Sequence, residues 1–429
     1  MQLGPHLTPV VTRRGFLTGV AACATAAFRA PCAFADRVPF ESRVRRGLRQ
    51  RLGRVLDRDY EHLLAHELAA IGSSGWQPRF EAAEALTASI RSGGLIVGPG
   101  RGSAPSSLVT YSLGITQVDP IERGLVFECF GYRNPVFRID VEPSIRREWI
   151  EEAIEPWITT GVRVWLAPRA LTLDGPPSIP SQPDPCIELY PSPVLTAVRE
   201  SFTSHGRDVG EIDVTDLSPL LVHKVSPLPF GFEVAWCYTC PPDYEAVIER
   251  QRVAAQALLD TIRPARFQHL AAVLGLVGGV GVGFDADSGA RHLGWRRAVD
   301  LNSVCTPYVI DTFGLLLYRE QLIQIASHLA GLSAREGEEL VRSLGKRRAE
   351  SLSNWRIRFM NGAAARGVVS RKEAATIWAH FERVHPDLGL CSRADSLGRA
   401  MLSLWSAHAM QLDQGRYVRA LRQAEQWLA

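Results

Sequence analysis

Apolar residues recur at helical spacing in the first well-patterned stretch of the chain. Between Val44 and Ile71, residues Leu48, Leu52, Leu56, Leu63, Leu64 and Leu68 fall on or near one face among charged positions, which predicts a pair of helices. Phe80 to Ser92 predicts a third. The period then changes. Gly94-Leu95-Ile96-Val97 is a short unbroken apolar run, the pattern of a buried strand, and Val136 to Val141 suits a strand that Pro143 ends. Arg146 to Trp157, Val194 to Ser204 and the amphipathic stretch Tyr244 to Leu259 return to helix. Further on, Leu322, Ile325, Ala326 and Leu329 mark a core-facing helical stripe, and Trp405 through Ala429 reads as a closing helical stretch. Gly175 to Pro193 holds seven prolines and predicts an irregular connector instead of an element.

Composition changes this picture little. The chain has 429 residues, enough for two or three domains, with 46% hydrophobic and 22% charged residues, as in a soluble globular protein. A net charge of +3 is too small to announce nucleic-acid binding, so any basic face must be local. Of eight cysteines, Cys237 and Cys240 form one CxxC without a second pair, which fits two neighbouring structural thiols better than zinc. The N-terminus has its own pattern: Arg13 and Arg14, a small-residue apolar run from Thr18 to Phe28, then Ala33-Phe34-Ala35 before Asp36. That is the form of a twin-arginine export signal, too short and too weakly apolar to span a membrane; a disordered start is the alternative. No transmembrane segment is expected.

Candidate chemistry begins at Gly98-Pro99-Gly100-Arg101-Gly102-Ser103, between the Leu95–Val97 run and a helical turn expected within Ser106 to Leu113. Glycines let backbone N–H groups approach an anion, a helix N-terminus adds partial positive charge, and Arg101 can grip two oxygens. It is not the P-loop spacing, because no Gly-Lys-Ser/Thr follows. A tight turn needing glycine for its dihedral angles accounts for the same residues.

Downstream residues add an order of motifs. Leu113-Gly114-Ile115-Thr116 with Asp119-Pro120, then Gly124-Leu125-Val126-Phe127-Glu128, then Asn134-Pro135-Val136-Phe137-Arg138-Ile139-Asp140 and Arg146-Arg147 follow one another. This succession resembles the palm of the alpha subunit of bacterial DNA polymerase III, the C-family replicative polymerase. There a G-P-G-R-G-S loop leads to a strand reading P-D-F-D-I-D and then an arginine pair. Gly161 to Pro168 resembles a later palm strand, with the family's helical thumb missing between them. Phe313 to Ala326, Leu340 to Arg348 and Cys391 to Ser396 resemble successive fingers motifs, with Arg393 in place of a lysine and the neighbouring histidine gone.

The resemblance implies an α+β fold: a mixed-sheet palm assembled from two segments, 37–155 and 156–300, followed by a helical fingers-like domain at 301–429, with 1–36 the signal-like or disordered start. It implies template-directed nucleotidyl transfer to a primer end, with DNA and deoxynucleoside triphosphates as partners, Mg²⁺ as cofactor and a cytoplasmic location, whereas the N-terminus points to export. No clamp-binding or exonuclease module is seen. Phosphate contacts are implied for Gly100, Arg101, Gly102, Ser103, Lys346, Arg347 and Arg393. Two aspartates one residue apart share a face of the family's strand and hold metal. The second is Asp140; the first has become Arg138, a cation expected to pair with Asp140 and to spoil the site. Glu142 on the same face is a substitute ligand, and Asp285 or Asp287 are candidates for the third carboxylate, set against a bland glycine-rich turn. A lost ligand in such a centre costs on the order of a thousandfold in rate, so the expectation is an impaired polymerase. The alternatives are a non-catalytic nucleotide- or DNA-binding relic and an exported protein.

Overall fold

The computed structural model describes residues 38–132, 134–166, 186–222, 258–260, 262–278, 303–346, 349–383 and 391–427. Three helices open it: α1 (Phe40–Leu52), α2 (Arg58–Ser73) and α3 (Gln77–Ser92). Asp57 caps α2 by accepting from the amides of Asp59 and Tyr60. Their stripes bury Val44, Leu48, Leu64, Ile71, Phe80, Leu86 and Ile90 in one core, with Phe80 edge-on to Phe137 at 5.0 Å.

Phe137 begins β1 (Phe137–Val141), which forms a sheet with β2 (Val164–Leu166) and β3 (Ile187–Pro191) in the order β1-β3-β2. Both pairings are parallel, not the mixed sheet expected. The antiparallel element is reduced to isolated bridges, Val97 to Val141 and Arg101 to Arg138. The expected Leu95–Val97 strand is therefore one bridge long, because Pro99 has no N–H to offer a ladder. A larger correction concerns the proline-rich stretch, whose last part supplies the central strand. Pro185 and Pro191 bracket Cys186–Tyr190, which keep their amides, and Ile187 and Leu189 are fully buried.

Between α3 and β1 the chain forms the short helix α4 (Leu108–Ser112), held from below by Glu67. The fully buried Glu67 carboxyl accepts from the Ser107 hydroxyl at 2.6 Å and from the amides of Leu108 and Val109 at 2.8 and 3.1 Å. Burial pushes this carboxyl up to about 7 from an ordinary 4.5, against those hydrogen bonds. Between these two values the folded chain holds a proton that the unfolded chain has lost, so rising pH favours unfolding. Stability is expected to fall from about pH 4.5 to pH 7, and Glu67→Gln to flatten that slope in urea titrations.

Helix α5 (Arg147–Ile154) packs on α3, and α6 (Pro193–Thr203) follows β3. Helix α7 (Phe267–Gly278) ends before the last third of the chain. There α8 (Arg319–Ala330), α9 (Ala334–Lys346), α10 (Ala349–Arg366) and α11 (Arg371–Arg383) gather around Leu322, Ile325, Leu329, Phe359, Trp378 and Phe381, so the predicted stripe is buried. The long α12 (Arg393–Gln426), kinked at Asp413, packs on α6 and α7 through Leu397, Leu404 and Trp405. The architecture is mixed α+β, predominantly helical around a small parallel sheet. Among the described residues no helix is long and apolar enough to cross a membrane.

Candidate active site

The glycine-rich loop lies directly on β1. The Gly98 amide donates to the Asp140 carbonyl at 2.9 Å, and Arg101 bridges to Arg138. Gly102 turns the chain at φ +61°, a left-handed conformation suited to glycine, and its N–H donates to Asp395 Oδ1 of α12 at 2.6 Å. The loop is thus held between an early strand and the last helix.

Three guanidinium groups meet three carboxylates here. Arg101 is turned inward: its Nη1 is 2.5 Å from Asp140 Oδ1, with both residues buried, and its guanidinium lies 3.9 Å from the centre of the Tyr190 ring. Burial lowers the Arg101 pKa, but the charges of Asp140 and Asp395 overcome this and hold it above the ordinary arginine value. Asp395 also takes Arg399 Nε at 2.8 Å. Burial raises its pKa, while Arg399, Arg101 and the Gly102 amide bring it below the usual aspartate value. Arg138 bonds Glu188 at 2.8 Å, and Glu188 also accepts from the Tyr190 hydroxyl at 2.7 Å. The expected Arg138–Asp140 pair is replaced by these two. Arg138 stands directly across from Glu188 in the sheet register, and Asp140 across from Tyr190. Neighbouring strands lie about 4.8 Å apart, whereas residues two apart on one strand are separated by about 6.6 Å, so the cross-strand acid is nearer.

Over this stretch the sequence matches a family model, the bacterial DNA polymerase III alpha NTPase domain, at residues 39–160, and the alpha-subunit finger domain matches residues 241–367. The chain is a relative of the bacterial DNA polymerase III alpha subunit. The DNA polymerase III alpha subunit of Thermotoga maritima is 25% identical over 372 residues, 76% of this chain and 43% of that protein. That of Caulobacter vibrioides is 26% identical, covering 76% of this chain and 38% of its own length. The Mycobacterium tuberculosis subunit is 40% identical over 115 residues, 26% of this chain and 10% of that protein. The chain thus spans half or less of the length of these relatives.

Against the family pattern, the geometry gathers only part of the expected set. Gly100, Arg101, Gly102, Ser103, Arg138 and Asp140 come together at the loop and β1. Arg393 opens α12, its Nη2 3.4 Å from Asp311 and its amide donating to the Glu320 carboxylate. Lys346 ends α9; its side chain, Arg347, and both Asp285 and Asp287 lie outside the described residues, as do Cys237, Cys240 and residues 1–36.

Magnesium demands several oxygen ligands at near-octahedral geometry. Here β1 presents one carboxylate already bonded to Arg101, with a guanidinium where the family has the other aspartate. Glu142, the expected substitute, is fully buried and committed: Arg199 Nε lies 2.9 and 3.1 Å from its two oxygens, and the Ile96 amide donates to it at 2.9 Å. Among the described residues no three His, Cys, Asp or Glu side chains cluster as metal ligands. The described residues alone do not make up a two-metal centre.

Sequence reasoning missed Glu188, Tyr190, Asp395 and Arg399, which complete the charge network. The sequence carries one signal for them. Asp395 stands where the family motif has its histidine, and an acid there faces a loop of amides.

Proposed function

We propose that this chain is a polymerase III alpha-like protein that keeps a nucleotide- and DNA-binding scaffold but is impaired in nucleotidyl transfer. The observation that carries this reading is the buried Arg101–Asp140 pair beside Arg138, which puts cations where the family's chemistry needs open carboxylates. In this reading, segments 37–155 and 156–300 make a palm-like unit and 301–429 a fingers-like one, acting on DNA and deoxynucleoside triphosphates in the cytoplasm. Phosphate reaches the loop residues Gly100, Arg101, Gly102 and Ser103 only in competition with Asp140 for the same guanidinium. Lys346, Arg347 and Arg393 remain proposed fingers contacts. Support comes from the order of matched domains along the chain and from the loop lying against β1.

Primer extension with Mg²⁺ and all four triphosphates tests the impairment. Expected is synthesis at background, at least on the order of a thousandfold below a working polymerase. Binding of a primer–template duplex at low salt is expected to weaken as salt rises. Processive extension would overturn the impairment, and no duplex binding at low salt would overturn the scaffold reading.

A further inference from the structure

Behind the loop, two arginines converge without an acid between them. Arg51, in the last turn of α1, stacks 4.5 Å from the centre of the Tyr111 ring and donates through Nη2 to Gln117 Oε1 at 2.9 Å. Arg91, in the last turn of α3, donates through Nη2 to the Gly114 carbonyl at 2.7 Å. Both guanidinium groups reach the same spot: a side-chain carbon on Gly114 would lie 3.6 Å from Arg91 Nη1 and 3.7 Å from Arg51 Nη2. Neither forms an ion pair among the described residues. Asp119, which lends Arg51 some favourable charge, is itself taken by the Tyr60 hydroxyl at 2.6 Å and by the amides of Ile121 and Glu122.

Helix C-termini favour cations, and that explains one arginine at each helix end. It does not explain two like charges drawn to one point and tied down by neutral acceptors. An oxyanion bridging the two guanidinium groups would balance these charges and use donors already fixed by Tyr111, Gln117 and Gly114. Arg91 is exposed and Arg51 half-buried, so such a ligand can reach them from solvent.

We infer that Arg51 and Arg91, with the Gly114 turn between them, form a phosphate-binding site separate from the Asp140 site. The ligand is a phosphate group held through its non-bridging oxygens, whether of a free phosphate compound or of a nucleic-acid backbone. The site does not rest on the polymerase reading. It does touch the loop's support, since the Gln117 amide donates to the Pro99 carbonyl at 2.7 Å.

Calorimetric titration of the full chain with inorganic phosphate, in chloride buffer at constant ionic strength, is expected to show saturable binding. Arg91→Gln should weaken it about tenfold or more, Arg51→Gln/Arg91→Gln should abolish it, and Arg91→Lys should retain much of it. Phosphate should also shield Arg51 and Arg91 of the unmodified chain from phenylglyoxal, read by peptide mass spectrometry, which needs no variant to fold. A single-stranded oligonucleotide identifies the source: displacement by inorganic phosphate, lost in the double variant, assigns a nucleic-acid backbone, and failure to bind there assigns a free phosphate compound. Absence of saturable phosphate binding, or affinity and shielding that ignore these two arginines, overturns the site.

Discussion

Replacing Asp140 with asparagine is expected to destabilise the protein by about 3–5 kcal/mol, because it takes from the buried Arg101 guanidinium the carboxylate it is bonded to. The two residues are only 8% and 7% exposed, so solvent screens the loss little. In a working metal centre the same change relieves repulsion between crowded carboxylates and is neutral or stabilising in the absence of metal. Urea unfolding of Asp140→Asn therefore separates the two situations, and a gain in stability would contradict the charge pairing described here. The double change Arg101→Met/Asp140→Leu should be much milder than either single one, since a buried pair exchanged for apolar groups of similar volume is often close to neutral.

Gly398→Ala is the second large effect expected. An added β-carbon at Gly398 would sit 2.0 Å from the Gly100 carbonyl oxygen and 2.7 Å from its carbon. The obstacle is main chain, so no side chain can swing away, and either α12 lifts or the loop distorts. The expected loss is about 3 kcal/mol, at the upper end for overpacked sites. Amide hydrogen exchange at Gly102 should accelerate along with it, because its acceptor Asp395 moves with the helix. Unchanged stability and unchanged exchange at Gly102 would refute this close approach.

Much of this arrangement is legible in the sequence. The leucine spacing of α1 and α2, the stripe of α8 and the pattern of β1 report burial on one face, and burial is what forms those elements. The loop's place beside β1 was legible only through family resemblance, since no periodicity encodes which loop meets which strand. β3 is hidden because proline density describes a whole segment, whereas a strand depends only on the residues that carry its ladder, here those that follow Pro185. Glu67 was overlooked although it falls between Leu64 and Ile71 on an otherwise apolar face, where an acid needs a partner. The exchange of partners among Arg101, Arg138, Asp140 and Glu188 depends on strand register, which one sequence does not display.

The hydrogen bond from Gly102 to Asp395 spans 293 positions of sequence. During synthesis the loop emerges long before its acceptor, and the apolar side of α6 in turn waits for Leu404 and Trp405. A ribosome-arrested chain that stops short of residue 391 should therefore be protease-sensitive in this region and be retained by chaperones. Emergence of residues 391–427 is the step expected to make this region compact.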